Sequence, residues 1–313
     1  MNIAVSQYFY PCSVGKLFIR AFRRLGHNVI GIGPYTDKLP WTEKDVSKYA
    51  EHPDVELEWK PQHHIGEALA RCSVKPNLIV QVDAGFRLAG KAEGITNIVI
   101  ATDPHAFPES YYQESFKNAD LQYMMQDWYA KSLREVGYPI RWLPYAFDPE
   151  YHFWNPNSPK DHIVTLITGL MYGGRIKAKQ QLEVALGMNG IFCDNGILFD
   201  EGCEIYNRGR IALNWSSRQD LPMRFWEGLA YRNVVLTDRA HDLALLEQSF
   251  GIREGTHYLG FDTVEELVEK ARWVMDNPEQ AEAIATAGYA KVWAGNHTYT
   301  ARAEQILRDV GVR

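Results

Sequence analysis

Short apolar runs alternate with amphipathic stretches along most of this chain. "NIAVS" (2–6) predicts a strand. "VGKLFIRAFRRLG" (14–26) predicts a helix, with Leu17, Phe18, Ala21, Phe22 and Leu25 on one face and Gly26 as its stop. "NVIGIG" (28–33) predicts a second strand, and a βαβ opening of this kind builds a parallel sheet. The alternation goes on. "HIGEALARCS" (64–73) reads as helix, "NLIVQVDAG" (77–85) and "NIVIATDPHAF" (97–107) as buried strands that each end in an acid. "LQYMMQ" (121–126) reads as strand, "WYAKSLREVG" (128–137) as helix, and "IRWLPYAFDP" (140–149) as a strand running into a proline-bounded loop.

Periodicity stops over "DPEYHFWNPNSPKDH" (148–162), where three prolines and two asparagines mark a linker. A second series follows it. "HIVTLITG" (162–169), "GRIALNWSS" (209–217) and "NVVLTD" (233–238) read as strands, and "GRIKAKQQLEVALG" (174–187) as a helix. "QDLPMRFWEGLAYR" (219–232) is a helix leading into the last of those strands. Three more helices are expected over 263–277, 278–296 and 298–311. The pattern predicts an α/β protein of two doubly wound, Rossmann-like domains: 1–155, 156–297, and a C-terminal helix over 298–313 that crosses back to the first domain.

Length and composition fit this division. The chain has 313 residues, enough for two cores, with 46% hydrophobic and 23% charged residues. No apolar run reaches the ~18 residues of a membrane span. "MNIAVSQYFY" lacks a basic segment followed by an apolar one, so a cytoplasmic protein is expected. The net charge of −6 argues against a general nucleic-acid binder. Lys16, Arg20, Arg23 and Arg24 recur at helical spacing and read as a solvated helix face. None of the four cysteines forms a C-x-x-C pair, so reduced thiols are expected and zinc is not.

In open parallel sheets, ligands bind beyond the carboxyl ends of the strands. Clefts between domains are frequent ligand sites. Polar residues at strand ends are therefore the candidates. The first loop, "SQYFYPCSVG" (6–15), lacks G-x-G-x-x-G, which disfavours a dinucleotide site. Asp103 and His105 follow a strand directly and have the chemistry of a general base toward a hydroxyl. Asp83 has the same placement. In "ITGLMYGGRIKAK", a glycine loop runs from strand to helix, so backbone N–H groups at the helix start suit a phosphate. Arg175 offers a planar fork there, and Lys177 a second cation. Within "QDLPMRFWEGLAYR", Leu221, Phe225 and Leu229 form one apolar row, and Met223, Trp226 and Ala230 another. Arg224 and Glu227 share a third strip, three residues apart. Glu227 either pairs with Arg224 or accepts hydrogen bonds from a ribose, and spacing leaves both open.

Several blocks carry a family resemblance: "PNLIVQVDAG" followed by "IVIATDP", "ADLQYMMQDWYAKSLREVGYPIRWLPYAFDPEYH", "PMRFWEGLAYRNVVLTD", and the terminal "HTYTARAEQIL". Together they resemble glycosyltransferases of the two-domain GT-B architecture. More narrowly, they resemble the CgeB-like (spore-maturation protein type) group, related to glycosyltransferase family 4. The resemblance implies a nucleotide-diphosphate sugar donor, such as a UDP-sugar, held by the second domain without a metal or other cofactor. It implies a hydroxyl acceptor on the first domain: a glycan, a small molecule, a protein or a modified DNA base. The donor candidates are then Glu227, Arg175, Lys177, Gly169, Gly173, Arg224, Asn214 and Ser216. The acceptor-side candidates are Ser13, Gly15 and Asp83, with Asp103 and His105 as the catalytic pair. Glu227 matches the second glutamate of the family's E-x(7)-E motif, but Gln219 stands where the first would be. That departure leaves sugar identity and stereochemistry open, and it supports the alternative of a nucleotide-sugar-binding protein without turnover. His297 and Arg302 match the terminal block and are expected to be structural.

Overall fold

In the computed structural model, which describes residues 1–170 and 174–312, the chain divides into two units. Unit 1 joins Met1–Pro144 to Tyr299–Arg313, and unit 2 is Tyr145–Thr298. The first division falls after Pro144 rather than after residue 155.

Unit 1 carries strands β1 (Asn2–Ser6), β2 (Asn28–Gly33), β3 (Val55–Glu56), β4 (Gln62–His64), β5 (Leu78–Asp83), β6 (Arg87–Ala89), β7 (Thr96–Ala101), β8 (Leu121–Met124) and β9 (Arg141–Trp142). Its helices are α1 (Val14–Arg24), α2 (Ile65–Leu69), α3 (Glu109–Phe116), α4 (Asp127–Glu135) and, from the end of the chain, α11 (Tyr299–Asp309). The main sheet has the order β3-β2-β1-β5-β7-β8-β9, paired in parallel throughout, and β4 pairs with β6 apart from it. Strands β1, β5 and β7 are covered on both faces, which is why they read as unbroken apolar runs. The strand expected to open 140–149 and run into a proline-bounded loop is two residues long. Pro144 has no N–H with which to extend a ladder.

Helix α1 buries Leu17, Phe18, Ala21 and Phe22. Lys16 is also buried, against the expectation of a solvated basic face. Its ammonium donates to the Tyr49 carbonyl and pairs with Glu51 at 3.3 Å. Helix α11 packs beside α1. Tyr299 meets Phe18 edge to face at 5.4 Å, and the Tyr123 hydroxyl donates to Asp309 at 2.5 Å. Arg302, almost fully buried, donates from Nε to the Pro144 carbonyl at 2.9 Å. Among the described residues, no helix is long and apolar enough to cross a membrane.

Unit 2 carries β10 (His162–Ile167), β11 (Ile191–Asp194), β12 (Gly209–Asn214), β13 (Val234–Asp238) and β14 (Leu259–Phe261). Its helices are α5 (Arg175–Leu186), α6 (Phe199–Arg208), α7 (Met223–Ala230), α8 (Leu243–Phe250), α9 (Val264–Asp276) and α10 (Pro278–Ala294). The sheet order is β11-β10-β12-β13-β14, again parallel. Val164, Leu166, Ile211, Leu213, Val234 and Leu236 fill its core against α5 and α9. Helix α7 lies close on this sheet because of Gly228. A Cβ there would sit 2.8 Å from Ala212 Cβ and 2.9 Å from Val235 Cγ2, too near for any other residue.

Candidate functional site

The strand order of unit 2 reverses between β10 and β12. The carboxyl ends of those two strands flank the crevice where open α/β sheets take ligands. Thr168 and Gly169 follow β10, Trp215 and Ser216 follow β12, and α5 begins at Arg175. Arg175 is 4% exposed. Its Nε and Nη2 donate to the Trp215 carbonyl at 2.9 and 2.6 Å, and its Nη1 to Thr168 Oγ1 and the Gly169 carbonyl at 3.0 and 2.8 Å. Arg224, on the first turn of α7, reaches the same place. Its Nη1 donates to Thr168 Oγ1 at 3.1 Å and its Nη2 to the Trp215 carbonyl at 3.4 Å. Two guanidinium groups thus stand side by side and share two neutral acceptors. Like charges so placed repel, and an anion between them relieves the repulsion.

Arg224 is therefore not the partner of Glu227. Glu227 turns the other way, and its Oε1 lies 3.4 Å from His152 Nε2, with side-chain exposures of 12% and 5%. The other ring nitrogen, His152 Nδ1, accepts the Asp148 backbone N–H at 2.9 Å. Burial holds the His152 pKa below its ordinary value, although Glu227 and Asp148 pull it upward. The imidazole is edge-on to Tyr231, which stacks on Tyr206 with ring centroids 5.0 Å apart. Sequence reasoning missed His152 because it lies in the segment read as linker, far from α7 along the chain.

The remaining donor-side candidates separate. Gly169 lends its carbonyl to Arg175. Lys177 leaves the group: its ammonium is largely exposed and lies 3.6 Å from Glu265, on a different face of α5 from Arg175. Gly173 lies outside the described residues. Asn214 Nδ2 donates to Thr237 Oγ1 at 2.9 Å, and its buried Oδ1 has no hydrogen-bond partner among the described residues. Ser216 is bound on both sides by Asp238, through its N–H at 2.9 Å and through its hydroxyl. It thereby braces the β12 loop, and its hydroxyl proton is committed to Asp238. Burial raises the Asp238 pKa against those bonds. Gln219 is exposed and takes a left-handed backbone, φ 56°.

In unit 1 the acceptor-side candidates are revised. Asp83 is fully buried and sealed: Tyr111 and Ser115 of α3 donate to its two oxygens at 2.5 and 2.6 Å, and the Gly85 N–H adds a third bond. Burial still raises its pKa. Gly15 makes room for a neighbour, not for a ligand. A Cβ there would lie 2.2 Å from Gln7 Oε1. Ser13 stays available. Its buried hydroxyl has no partner among the described residues, and it lines a cavity of about 10 Å³ with Gln7, Tyr10 and Thr102 at the ends of β1 and β7. Asp103 and His105 follow β7 and are partly exposed. Thr102 Oγ1 donates to Asp103 Oδ2 at 3.3 Å, and the His105 ring lies 6.2 Å from that of Tyr129. Among the described residues no group of three or more His, Cys, Asp or Glu side chains has the arrangement of a metal site.

Comparison with known proteins adds to this geometry. Residues 194–308 match a family model described as "Glycosyl transferase-like". No curated protein matches the chain by sequence. Among solved structures, the Anabaena HepE protein in complex with UDP and glucose superposes with a TM-score of 0.68 at 11% identity, covering 99% of both chains. Sucrose-phosphate synthase from Thermosynechococcus elongatus gives 0.65 at 13%, covering 98% of both. An α-glucosyltransferase in complex with UDP and a 13-mer DNA containing an HMU base gives 0.63 at 12%, covering 99% of both. The chain has a GT-B glycosyltransferase fold. Within that GT-B fold, the stretch matched by the family model contains α7 and Glu227, whereas Arg175 lies ahead of it.

Proposed function

We propose that this chain is a glycosyltransferase that moves a sugar from a nucleotide-diphosphate sugar to a hydroxyl acceptor without a metal ion. The observation that carries this reading is the pairing of Arg175 and Arg224 on shared neutral acceptors at the sheet's switch point. Two such groups attract a diphosphate, and the α5 N-terminus adds partial positive charge. As the sugar–phosphate bond breaks, negative charge grows on the leaving diphosphate, where these fixed cations stabilise it. Glu227, beyond the cations on α7, accepts from the donor's ribose hydroxyls. Asp103 or His105 removes, or positions, the acceptor proton. The terminal and α7 sequence blocks support placing the chain in the CgeB-like group.

Calorimetry with UDP, GDP, ADP and TDP and their glucose conjugates tests the donor reading. At least one is expected to bind. Glu227→Gln is expected to weaken that ligand about tenfold or more, the scale of a hydrogen bond to a charged group, with little change in melting temperature. Unchanged affinity would remove Glu227 from the donor site. Nucleotide binding with no sugar release to water or to any acceptor would turn the protein into a binder. Activity that survives EDTA checks the metal-free mechanism.

A further inference from the structure

His152 has no place in the transfer chemistry above, yet it is buried against the carboxylate that carries the donor reading. Its two nitrogens have different neighbours. Nδ1 accepts a backbone N–H from Asp148 at 2.9 Å, so in this arrangement it bears no proton. The proton of the neutral ring must then sit on Nε2, and Nε2 is the atom 3.4 Å from Glu227 Oε1. We propose that His152 is the positioning residue of Glu227: its Nε2–H, 3.4 Å from Oε1, attracts that oxygen as a long electrostatic contact and leaves Oε2 to accept from the ribose hydroxyls of a nucleotide sugar.

This role rests on the donor reading of Glu227. Without a fixed neighbour, a glutamate in a helix explores several rotamers, and a carboxylate serves two hydroxyls well only when its plane is set. Here the neighbour comes from a different element, the Asp148–His152 turn, which brings Nε2 to 3.4 Å from Oε1. That turn is itself closed by the Tyr151 and His152 N–H groups donating to the Asp148 carbonyl at 3.1 and 2.8 Å. The groups facing the imidazole are Asp148 and Tyr151 of its own turn, Glu227 of α7, and Tyr231, which is backed by Tyr206 of α6. Protonating Nδ1 would expel the Asp148 N–H and open the turn. Burial opposes that step, so the neutral form persists below the ordinary histidine value of 6.5. Donor binding that depends on this form is full at neutral pH and falls as acid protonates the ring.

Two measurements on the full chain test the proposal. In long-range ¹H–¹⁵N spectra, assigned by loss of the signal in His152→Gln, the ring is expected as the Nε2–H tautomer at pH 7.5, titrating below pH 6.5. Glu227→Gln is expected to move its Nε2 resonance. An Nδ1–H tautomer, or an Nε2 signal indifferent to Glu227→Gln, overturns the proposal whichever nucleotide the protein uses. For the nucleotide bound in calorimetry, His152→Gln keeps a donor where Nε2 was and is expected to stay within about threefold. His152→Asn and His152→Phe are expected to weaken binding about tenfold. In a Glu227→Ala background, His152→Phe should add no further loss, and additive losses overturn the coupling. If Glu227→Ala leaves affinity unchanged, the ribose reading fails while the tautomer result stands. If only the His152 variants are silent, the positioning role fails alone.

Discussion

Arg175→Ala is expected to lower kcat/KM for sugar transfer by about 10²–10³-fold, the cost of removing one preorganised group from developing negative charge. Three features argue for an effect of this size. The guanidinium is buried, so water screens it little. Four bonds to Trp215, Thr168 and Gly169 fix it, so it need not reorganise as charge develops. And Arg224 stands on two of the same acceptors, so one cation lost leaves an unbalanced site. Arg175→Lys keeps the charge but not the fork and is expected to recover only part of the activity. Lys177→Ala, on the exposed face of α5, serves as the control and should change little. Steady-state kinetics beside thermal melts decide the matter. Activity of Arg175→Ala within threefold of wild type, with an unchanged fold, would sink the diphosphate clamp.

Ending the chain after Thr298 is expected to unfold unit 1 while unit 2 keeps its structure. The deleted helix α11 buries Tyr299, Ala303, Ile306 and Leu307. Each large side chain among them contributes about 1.5–3 kcal/mol. Removing three of them takes away an amount comparable with the whole net stability of a domain, about 5–15 kcal/mol. The truncation also strips Tyr123 of its Asp309 partner and uncovers Phe18. Limited proteolysis and two-dimensional NMR of the truncated chain give the readout. A protease-resistant Met1–Pro144 would refute the expectation.

How far the sequence disclosed this arrangement depends on where the information sits. The β1–α1–β2 opening and the β12–α7–β13 succession were legible because apolar period switches between 2 and 3.6 within a few residues. Four-residue β11 and three-residue β14 are too short to show a period. Arg175 was legible as a cation after a glycine turn, but Lys177 was a poor companion. Residues two apart on a helix face different ways, and Arg224, remote in sequence, takes that place. Asp83 resembled Asp103 at its strand end. The difference lies in α3, where Tyr111 and Ser115, one turn apart, cap both oxygens of Asp83. His152 gave no signal, since a turn without periodicity supplied it.

The route of the chain through unit 1 also has a consequence in time. The ribosome releases Met1–Pro144, then all of Tyr145–Thr298, before α11 emerges. At ~5–20 residues per second, the first unit waits on the order of ten to thirty seconds for its last helix. Throughout that interval, while unit 2 is still being made, the flank of α1 around Phe18 lacks its cover. The half of the molecule that is made first is the half that is finished last, so in newly made chains unit 1 is the part open to chaperones and proteases until α11 docks.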